Sequence, residues 1–235
     1  MMVKHGTIMA LFLKAAACVI IAVAGWNAGR TFIVPRLLSR SVSDRVAEIM
    51  QAKPWLVEVA GQEKGRLSIL VFKNERLVEV HAAGWREPRR YAMTGFSGDL
   101  GPKLEEGDRQ IPEGVYGIEY LNPNSRFHLS LKVSYPNEFD KRCAAKDGRV
   151  NLRGDIMIHG GSATIGCIPI GDDAIEELFY LVASVGRENV AVTISPYDMR
   201  KGRNALLEKS LLPWYGALCD MIARSLSADT KPTVL

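Results

Sequence analysis

The chain has 235 residues, of which 47% are hydrophobic and 24% are charged. This balance is typical of a globular protein with a buried core and excludes a chain that is disordered throughout. The formal net charge is only +4, and no cluster of Lys and Arg alternates with aromatic residues, which argues against nucleic-acid binding.

The first 29 residues show the order of features that directs a protein across a membrane. Basic residues precede an uncharged apolar run at 15–25, in which Ala-Val-Ala at 22–24 fits the small-x-small pattern of a cleaved signal peptide. The run is short for a span of about 20 residues. If Lys14 reaches the membrane surface, however, residues 8–26 could form an uncleaved anchor. A buried N-terminal helix is the other interpretation. We expect an exported protein of the periplasm or cell envelope, with residues 1–29 as a signal peptide or an inner-membrane anchor.

The next segments predict mainly strands. Residues 30–64 indicate a linker and then a helix at about 44–52, with Ser43 as its N-cap and Pro54 after its end. A turn between the first two strand-like segments predicts a hairpin. Segments rich in β-branched and aromatic residues predict strands at 67–72, 77–81, 115–120, 127–133, 156–159 and 190–195.

Two further helices are expected near the end of the chain. Asp172 and Asp173 open an amphipathic helix that should end near Val185, before Gly186. The tail predicts one more helix at about 206–226, interrupted at Pro213. Because strands and helices do not alternate regularly, the pattern favours a mainly β fold with some α structure (α+β) over a doubly wound sheet.

Three cysteines follow the N-terminal run: Cys143, Cys167 and Cys219. An odd number in an exported chain allows one disulfide and one free thiol, or several free thiols. Cys143 falls in a charged segment that we expect to be a loop. A bridge from Cys143 to Cys219 and two free thiols both remain open. The spacing matches no zinc motif, and we expect no metal site.

One glycine-rich segment carries residues suited to thiol chemistry. Residues 158–169 read IHGGSATIGCIP, in which His159 ends a predicted strand and Cys167 stands at the far end of a loop. A cysteine needs a nearby base or positive charge to become a thiolate near pH 7. We therefore expect the His159 ring and the Cys167 sulfur to lie within hydrogen-bonding distance. Spacing alone also permits a buried core histidine and a cysteine that packs as a small hydrophobic residue.

The glycines of this loop have their own expected roles. Gly166 lets the backbone turn tightly beside the sulfur, and the amides of Gly166 and Cys167 could bind an oxyanion. Gly160 and Gly161 would leave room for a bulky substrate.

Three segments in order resemble one protein family. Residues 159–167 resemble the signature of the L,D-transpeptidase catalytic-domain (YkuD-type) family, in which a His-Gly pair leads through a loop to a Gly-Cys nucleophile. Residues 107–116, GDRQIPEGVY, resemble the family stretch GDxxTPxGxY, and residues 122–130, NPNSRFHLS, resemble its YafK-like branch. The resemblance covers residues 65–196. It implies an L,D-transpeptidase-like β-sandwich or barrel with a few flanking helices, followed by a helical extension at 197–235.

The sequence departs from the commonest family pattern beside the nucleophile. Ile165 stands where a second histidine is common, and Pro169 stands where an arginine is common. Ile111 replaces the usual threonine, and the loop from His159 to Cys167 is shorter than usual. These departures affect the expected handling of the substrate more than the cysteine chemistry.

By resemblance, the protein is a cysteine-dependent L,D-transpeptidase that acts on peptidoglycan stem peptides through a thioester, with Cys167 as nucleophile and His159 as base. A backbone carbonyl often orients the histidine in this family, and no metal or organic cofactor is implied. The alternative is a hydrolase on the same fold, either an L,D-carboxypeptidase or an amidase that releases a peptidoglycan-linked lipoprotein. A non-catalytic envelope scaffold is a third possibility. A papain-like endopeptidase is disfavoured because no histidine follows Cys167.

Four further residues are candidates for substrate contact: Ser162, Tyr116, His128 and Arg126. His128 either lines the site or lies on an exposed strand face, and Arg126 either binds a substrate carboxylate or is solvated. Asp108 is expected to support a turn.

Overall fold

The computed structural model describes residues 39–61, 65–152, 154–204 and 212–229. The predicted signal or anchor at 1–29 therefore lies outside the described residues. Ser41–Leu235 forms one compact unit. Within the described ranges, none of the helices combines the length and apolar character needed to span a bilayer.

The described residues form one mixed sheet of eight strands in the order β3-β2-β1-β8-β4-β5-β6-β7. Most neighbouring strands are antiparallel, while β1 pairs with β8, and β6 with β7, in parallel. The strands are β1 Leu67–Phe72, β2 Leu77–Ala82, β3 Arg89–Ala92, β4 Gly114–Ser125, β5 His128–Val133, β6 Met157–His159, β7 Ile168–Pro169 and β8 Val190–Ser195.

Five α-helices and two short 3-10 helices, Arg187–Asn189 and Met199–Lys201, accompany the sheet in the described part of the chain. The α-helices are α1 Val42–Ala52, α2 Trp55–Gly61, α3 Glu138–Lys146, α4 Asp172–Val185 and α5 Tyr215–Asp229. The α+β prediction is confirmed, and β1, β8 and α4 have the predicted bounds.

Helix α1 begins two residues earlier than predicted. Ser41, and not Ser43, is its N-cap. The Ser41 hydroxyl accepts a hydrogen bond from the Asp44 amide at 3.1 Å, and the Asp44 carboxylate accepts one from the Ser41 amide at 2.9 Å. This reciprocal capping box satisfies two amides that the helix itself cannot, which explains why the helix starts there.

Several elements differ from the prediction. Helix α2 follows Pro54 directly, and α3 begins after the N-cap Asn137, so the buried Cys143 lies in a helix and not in a charged loop. The short strands β3 and β7 were not predicted. The last helix of the described residues runs from Tyr215 to Asp229, after the predicted interruption at Pro213, and the predicted part at 206–211 lies outside the described residues.

The core occupies both faces of the sheet. Because side chains alternate along a strand, Ile69 and Val71 of β1 face a large cluster that includes the apolar side of α4. Leu70 and Phe72 face the opposite way, into a second cluster built with α5. Helix α5, within the predicted C-terminal extension, therefore packs on the sheet face opposite to α4.

A buried ion pair lies near the second cluster. The Lys73 ammonium is 2.9 Å from the Glu113 carboxylate, and both side chains are inaccessible to solvent. Tyr215 of α5 donates its hydroxyl to the other Glu113 oxygen at 2.7 Å. Burial lowers the pKa of Lys73, and Glu113 opposes that effect. The three residues tie β1, the start of β4 and α5 together.

Candidate active site

The strand register places His159 and Cys167 on one face of the sheet. In the parallel pair of β6 and β7, Ile158 lies opposite Ile168 and His159 lies opposite Pro169. Paired residues on neighbouring strands point to the same face, and so do alternate residues of one strand. Cys167 immediately precedes Ile168, and it therefore shares the face of His159. The loop between them folds back as the sequence predicted.

The His159 ring is held in a single orientation by its own loop. Its Nδ1 atom lies 2.6 Å from the carbonyl oxygen of Gly160, and a carbonyl can only accept a hydrogen bond. Nδ1 therefore carries the proton, and Nε2 is the acceptor atom of the neutral ring. Among the described residues, nothing hydrogen-bonds the buried Nε2. Burial lowers the pKa of His159, which keeps the imidazole neutral at pH 7. Gly160 thus supplies the orienting carbonyl that the sequence could not identify.

The thiol of Cys167 is partly exposed, and its hydrogen bond goes elsewhere. The sulfur donates to the backbone carbonyl of Asp155 at 3.5 Å. The prediction that the thiol and the imidazole are hydrogen-bonded is therefore wrong for the free protein. Burial is the largest effect on the thiol and raises its pKa, while a backbone hydrogen bond from Met157 acts in the opposite direction. Catalytic hydrogen bonds are often long before substrate binds, so the shared face is the more informative observation.

Hydrogen bonds fix the loop that joins the two residues. Thr164 donates its hydroxyl to the Cys167 carbonyl at 2.8 Å, and the Gly166 amide donates to the Thr164 hydroxyl at 3.3 Å. The Gly161 amide donates to a carboxylate oxygen of Asp172 at 2.8 Å, and the Gly161 carbonyl accepts from Thr94 at 2.6 Å. The Gly166 amide, predicted as an oxyanion donor, is thus already hydrogen-bonded in the free protein.

The loop glycines serve different geometric needs. Gly166 has a φ of +124°, and a Cβ there would lie 3.0 Å from the carbonyl of Gln110, so both conformation and space favour glycine. At Gly160 a Cβ would meet the carbonyl of Phe127 at 2.7 Å. Gly160 therefore permits a close approach of two backbones and leaves no room for a substrate, contrary to our expectation. At Gly161 the same position is open.

The remaining predicted substrate residues lie in different environments. Tyr116 is only 5% exposed and donates its hydroxyl to the Glu113 carbonyl, so it is a core residue and the prediction of substrate contact is wrong. His128 pairs through Nε2 with Glu176 of α4 at 2.7 Å. Arg126, in the turn between β4 and β5, and Ser162, in the glycine loop, are both exposed.

Sequence reasoning missed Phe127, which packs on the histidine. Its ring centroid lies 4.6 Å from that of His159, with the planes inclined by 33°. The Phe127 carbonyl accepts a hydrogen bond from the Gly160 amide at 3.1 Å. Phe127 is nevertheless 44% exposed, and Ile165 in the neighbouring loop is 77% exposed. The only sequence signal for Phe127 was its place between Arg126 and His128 in the branch-specific motif.

The upstream motif forms a turn that lies against the catalytic loop. Asp108 accepts hydrogen bonds from the amides of Leu104, Glu105 and Gln110, as its predicted turn role requires. Its carboxylate also pairs with Lys103 at 2.5 Å. Since the Gln110 carbonyl lies next to Gly166, this turn supports the backbone beside Cys167.

In the described ranges, no disulfide joins Cys143 to Cys219, and Cys167 is not in a disulfide either. Within those ranges, no group of three His, Cys, Asp or Glu side chains is arranged to hold a metal ion.

Comparison with known proteins adds independent evidence. The family model described as the L,D-transpeptidase catalytic domain, YkuD, matches residues 66–194. YafK of Escherichia coli K12, named as a candidate L,D-transpeptidase, is 32% identical over 139 residues, which cover 56% of this chain and 54% of YafK. The YafK protein of Escherichia coli O157:H7 gives the same values. The chain thus spans about half the length of the curated relatives that it matches.

The solved structures that this chain matches include two bacterial proteins. Bd1075 of Bdellovibrio bacteriovorus is 22% identical with a TM-score of 0.40, and the match covers 56% of this chain and 48% of Bd1075. The helical cell shape determining protein Pgp2 of Campylobacter jejuni is 18% identical with a TM-score of 0.42, covering 77% of this chain and 78% of Pgp2. Because the family model matches more than half of the sequence, this chain belongs to the L,D-transpeptidase catalytic domain (YkuD) family.

Proposed function

We propose that the protein is an L,D-transpeptidase that acts on peptidoglycan stem peptides through a thioester on Cys167. The observation that carries this proposal is the placement of Cys167 on the same sheet face as a neutral His159 whose proton is fixed on Nδ1. Family membership supports the reaction class. The proposed substrate is the one that this reaction class implies.

In the proposed reaction, His159 relays one proton in each half: Nε2 first takes the proton up and then gives it to the departing group. Nε2 takes the proton of the Cys167 thiol, and the sulfur attacks the carbonyl carbon at the L-centre of a diamino acid. The C–N bond breaks, the leaving amine takes the proton from Nε2, and a thioester remains. An acceptor amine then attacks the thioester and gives its proton to Nε2. The new amide leaves, and the proton returns to the sulfur.

The free geometry requires one local change before the first transfer. The thiol must turn from the Asp155 carbonyl towards Nε2, which breaks a single hydrogen bond to sulfur. We propose that the amides of Gly166 and Cys167 bind the oxyanion, the first after release from the Thr164 hydroxyl. Donors aimed at this developing charge are usually among the largest contributions to such catalysis.

The proposal extends to the surroundings of the site and the location of the protein. The exposed Arg126, next to Phe127 in the chain, and the exposed Ser162 of the glycine loop are proposed to contact the stem peptide. His128 is proposed to act less directly, through its pairing with Glu176. The reaction would take place in the cell envelope, with residues 1–29 as signal or anchor.

A hydrolase on the same site is the second candidate, because the residues beside Cys167 differ from the common pattern. Ile165 is an exposed aliphatic side chain where a histidine is common, and the buried Pro169 supplies no charge where an arginine is common. Water would then replace the acceptor amine. Its products would be a shortened stem peptide, or a lipoprotein released from peptidoglycan.

Purified full-length protein, incubated with muropeptides and an added D-amino acid as acceptor, tests both candidates by mass spectrometry. An acceptor-linked peptide supports transfer, whereas shortened or released products alone support hydrolysis. We expect Cys167→Ala to abolish product formation and His159→Ala to lower the rate by about 10²–10⁴-fold. The control Cys143→Ala, at a buried thiol in α3, should remain active. Full turnover by Cys167→Ala or His159→Ala would refute the proposal.

A further inference from the structure

A nearly buried lysine lies on the same sheet face as the thiol. Lys132 of β5 is 6% exposed and lies opposite Met157 of β6. Met157 in turn is the β6 neighbour of Cys167, as the register of β6 and β7 and the Met157 backbone hydrogen bond to the sulfur both indicate. Lys132 of β5, Met157 of β6 and Cys167, which directly precedes β7, therefore form a row on the face that carries His159.

Lys132 and the sulfur share a partner in Asp155. The lysine ammonium lies 3.2 Å from the Asp155 carboxylate, while the Asp155 backbone carbonyl accepts the hydrogen bond of the thiol. A second carboxylate, Glu119, lies 3.7 Å from the ammonium. The two acidic side chains are 73% and 56% exposed, so this is a buried cation with solvent-exposed counter-ions. Moving an ammonium out of water is energetically unfavourable, and ion pairs with exposed carboxylates offset little of that free energy.

The other charged or titratable groups around the sulfur do not supply a free positive charge. His159 is neutral, and its protonated nitrogen faces the Gly160 carbonyl. Lys103 is held by the Asp108 carboxylate at 2.5 Å and by the Glu105 carbonyl at 2.8 Å. The Asp155 carboxylate disfavours a thiolate. Lys132 thus remains the cation whose partners can turn into solvent when the thiol ionises.

We propose that Lys132 is a positioning residue that stabilises the Cys167 thiolate electrostatically, and that Asp155 opposes it. When the thiol proton passes to His159, the negative sulfur is attracted by the buried ammonium, and the exposed Asp155 carboxylate turns towards water. This inference deepens the proposed function and rests on Cys167 being its nucleophile. Lys132 would thereby supply positive charge near a nucleophile whose following residues, Ile168 and Pro169, are uncharged.

The pH dependence of Cys167 alkylation by iodoacetamide tests this inference without any peptidoglycan substrate. Full-length protein is alkylated between pH 6 and 10, and peptide mass mapping separates Cys167 from the buried Cys143 and Cys219. We expect Lys132→Met to raise the midpoint of the profile by about one pH unit, which lowers the rate at pH 7 about tenfold. Lys132→Arg should keep the alkylation rate within about threefold of the wild-type rate, because it keeps the positive charge.

Asp155→Asn is expected to shift the midpoint of the alkylation profile in the direction opposite to Lys132→Met. Removal of its carboxylate relieves the repulsion of the thiolate and leaves the Lys132 charge unscreened, so the midpoint should fall and alkylation at pH 7 should become faster. Because the Asp155 side chain is 73% exposed, we expect Asp155→Asn to fold as the wild type does. Lys141→Met removes an exposed lysine of α3 and should leave the profile unchanged.

The inference is overturned if Lys132→Met and Asp155→Asn leave the midpoint unchanged, or if both move it in the same direction. If Lys132→Met fails to fold, Asp155→Asn decides alone, and an unchanged or higher midpoint rejects the inference. Failure of the proposed function gives a different result. In that case opposite shifts in alkylation would still be measured, while the wild-type protein would form no product from muropeptides.

Discussion

One backbone carbonyl determines which ring nitrogen of His159 carries the proton. The Gly160 oxygen fixes the proton on Nδ1, and burial lowers the pKa of the ring, so Nε2 is available as an acceptor at pH 7. Phe127 contributes to that burial, because its ring lies on the imidazole. The same aromatic side chain is nearly half exposed, which places a solvent-accessible apolar group directly over the proposed base.

Replacing Phe127 by Ala should move the acid side of the pH–rate profile. Water would reach the imidazole, and the pKa of His159 would rise towards its ordinary value near 6.5. Since only the neutral ring accepts the thiol proton, kcat/KM at pH 6 should fall by about threefold more than at pH 8. We would measure kcat/KM from pH 5 to 8.

The matched control is Val57→Ala, which truncates a similarly exposed side chain on α2. It should leave the profile in place. An acid midpoint that is the same in Phe127→Ala and wild type would show that the Phe127 ring does not control the protonation of His159.

The sequence motif pointed to Cys167 and His159, whose catalytic roles remain proposals, but it could not predict their partners. Cys167 and His159 belong to a contiguous motif, whereas Lys132 and Phe127 reach them through strand pairing, which a single sequence does not reveal. The error at Tyr116 has a related cause. A one-residue change in register exchanges the two faces of a strand, and composition alone did not show that this side of β4 faces the core.

At the scale of elements, helix α4 anchors the glycine-rich loop that joins His159 to Cys167. Asp172 and Asp173 both lie in its first turn, where a carboxylate interacts favourably with the helix dipole. Their side chains have different partners. Asp172 accepts the Gly161 amide, whereas the 98% exposed Asp173 pairs with Lys53 of the segment after α1. Variants at the two positions therefore distinguish the loss of the contact with the loop from the loss of a charge at the helix end.

Asp172→Ala should reduce turnover more than Asp173→Ala. Both variants lose a favourable helix-end charge of about 0.3–1 kcal/mol. Only Asp172→Ala also releases the Gly161 amide, and a charge-assisted hydrogen bond contributes about 1.5–3 kcal/mol. We expect kcat to fall about tenfold for Asp172→Ala and less than twofold for Asp173→Ala, with thermal unfolding measured alongside. Equal kcat values in the two variants would argue against the anchoring role.

Local sequence was informative for elements that carry their own signals. The hairpin of β1 and β2 and the acidic start of α4 were visible because the turn, the alternation and the helix stop occur within a few residues. Both Ser41 and Ser43 were eligible caps, and only the reciprocal hydrogen bond with Asp44 distinguishes them. Strand β7 has two residues and exists because it pairs with β6, so no local pattern could have predicted it.

At the scale of the whole molecule, the two ends of the family region lie side by side. Strand β1 pairs in parallel with β8, with Leu67 opposite Val190, and β8 continues the sheet to β4. This closure between residues more than 100 positions apart was not accessible from the sequence. The second face of β1 is covered by α5, which follows the region that the family model matches.

Tyr215→Phe tests how far the α5 contact supports the fold. The substitution keeps the ring but removes a hydrogen bond to a buried carboxylate, and such a loss costs about 1–3 kcal/mol. In a domain of this size each kcal/mol lowers Tm by about 2–4 °C. The control Tyr120→Phe removes a hydroxyl from a side chain that is 41% exposed and should leave Tm within about 1 °C, because surface substitutions have small effects. Both variants are compared by calorimetry.

The same variant also distinguishes support of the fold from support of the site. Glu113 keeps its ion pair with Lys73 in Tyr215→Phe, so the turn around Gln110 that backs Gly166 should retain its conformation. Below the unfolding transition we therefore expect alkylation of Cys167 at the wild-type rate despite the lower Tm. A variant with an unchanged Tm would show that the Tyr215 hydroxyl does not stabilise the buried pair. If alkylation slowed well below the transition, α5 would instead be part of the machinery that positions the nucleophile.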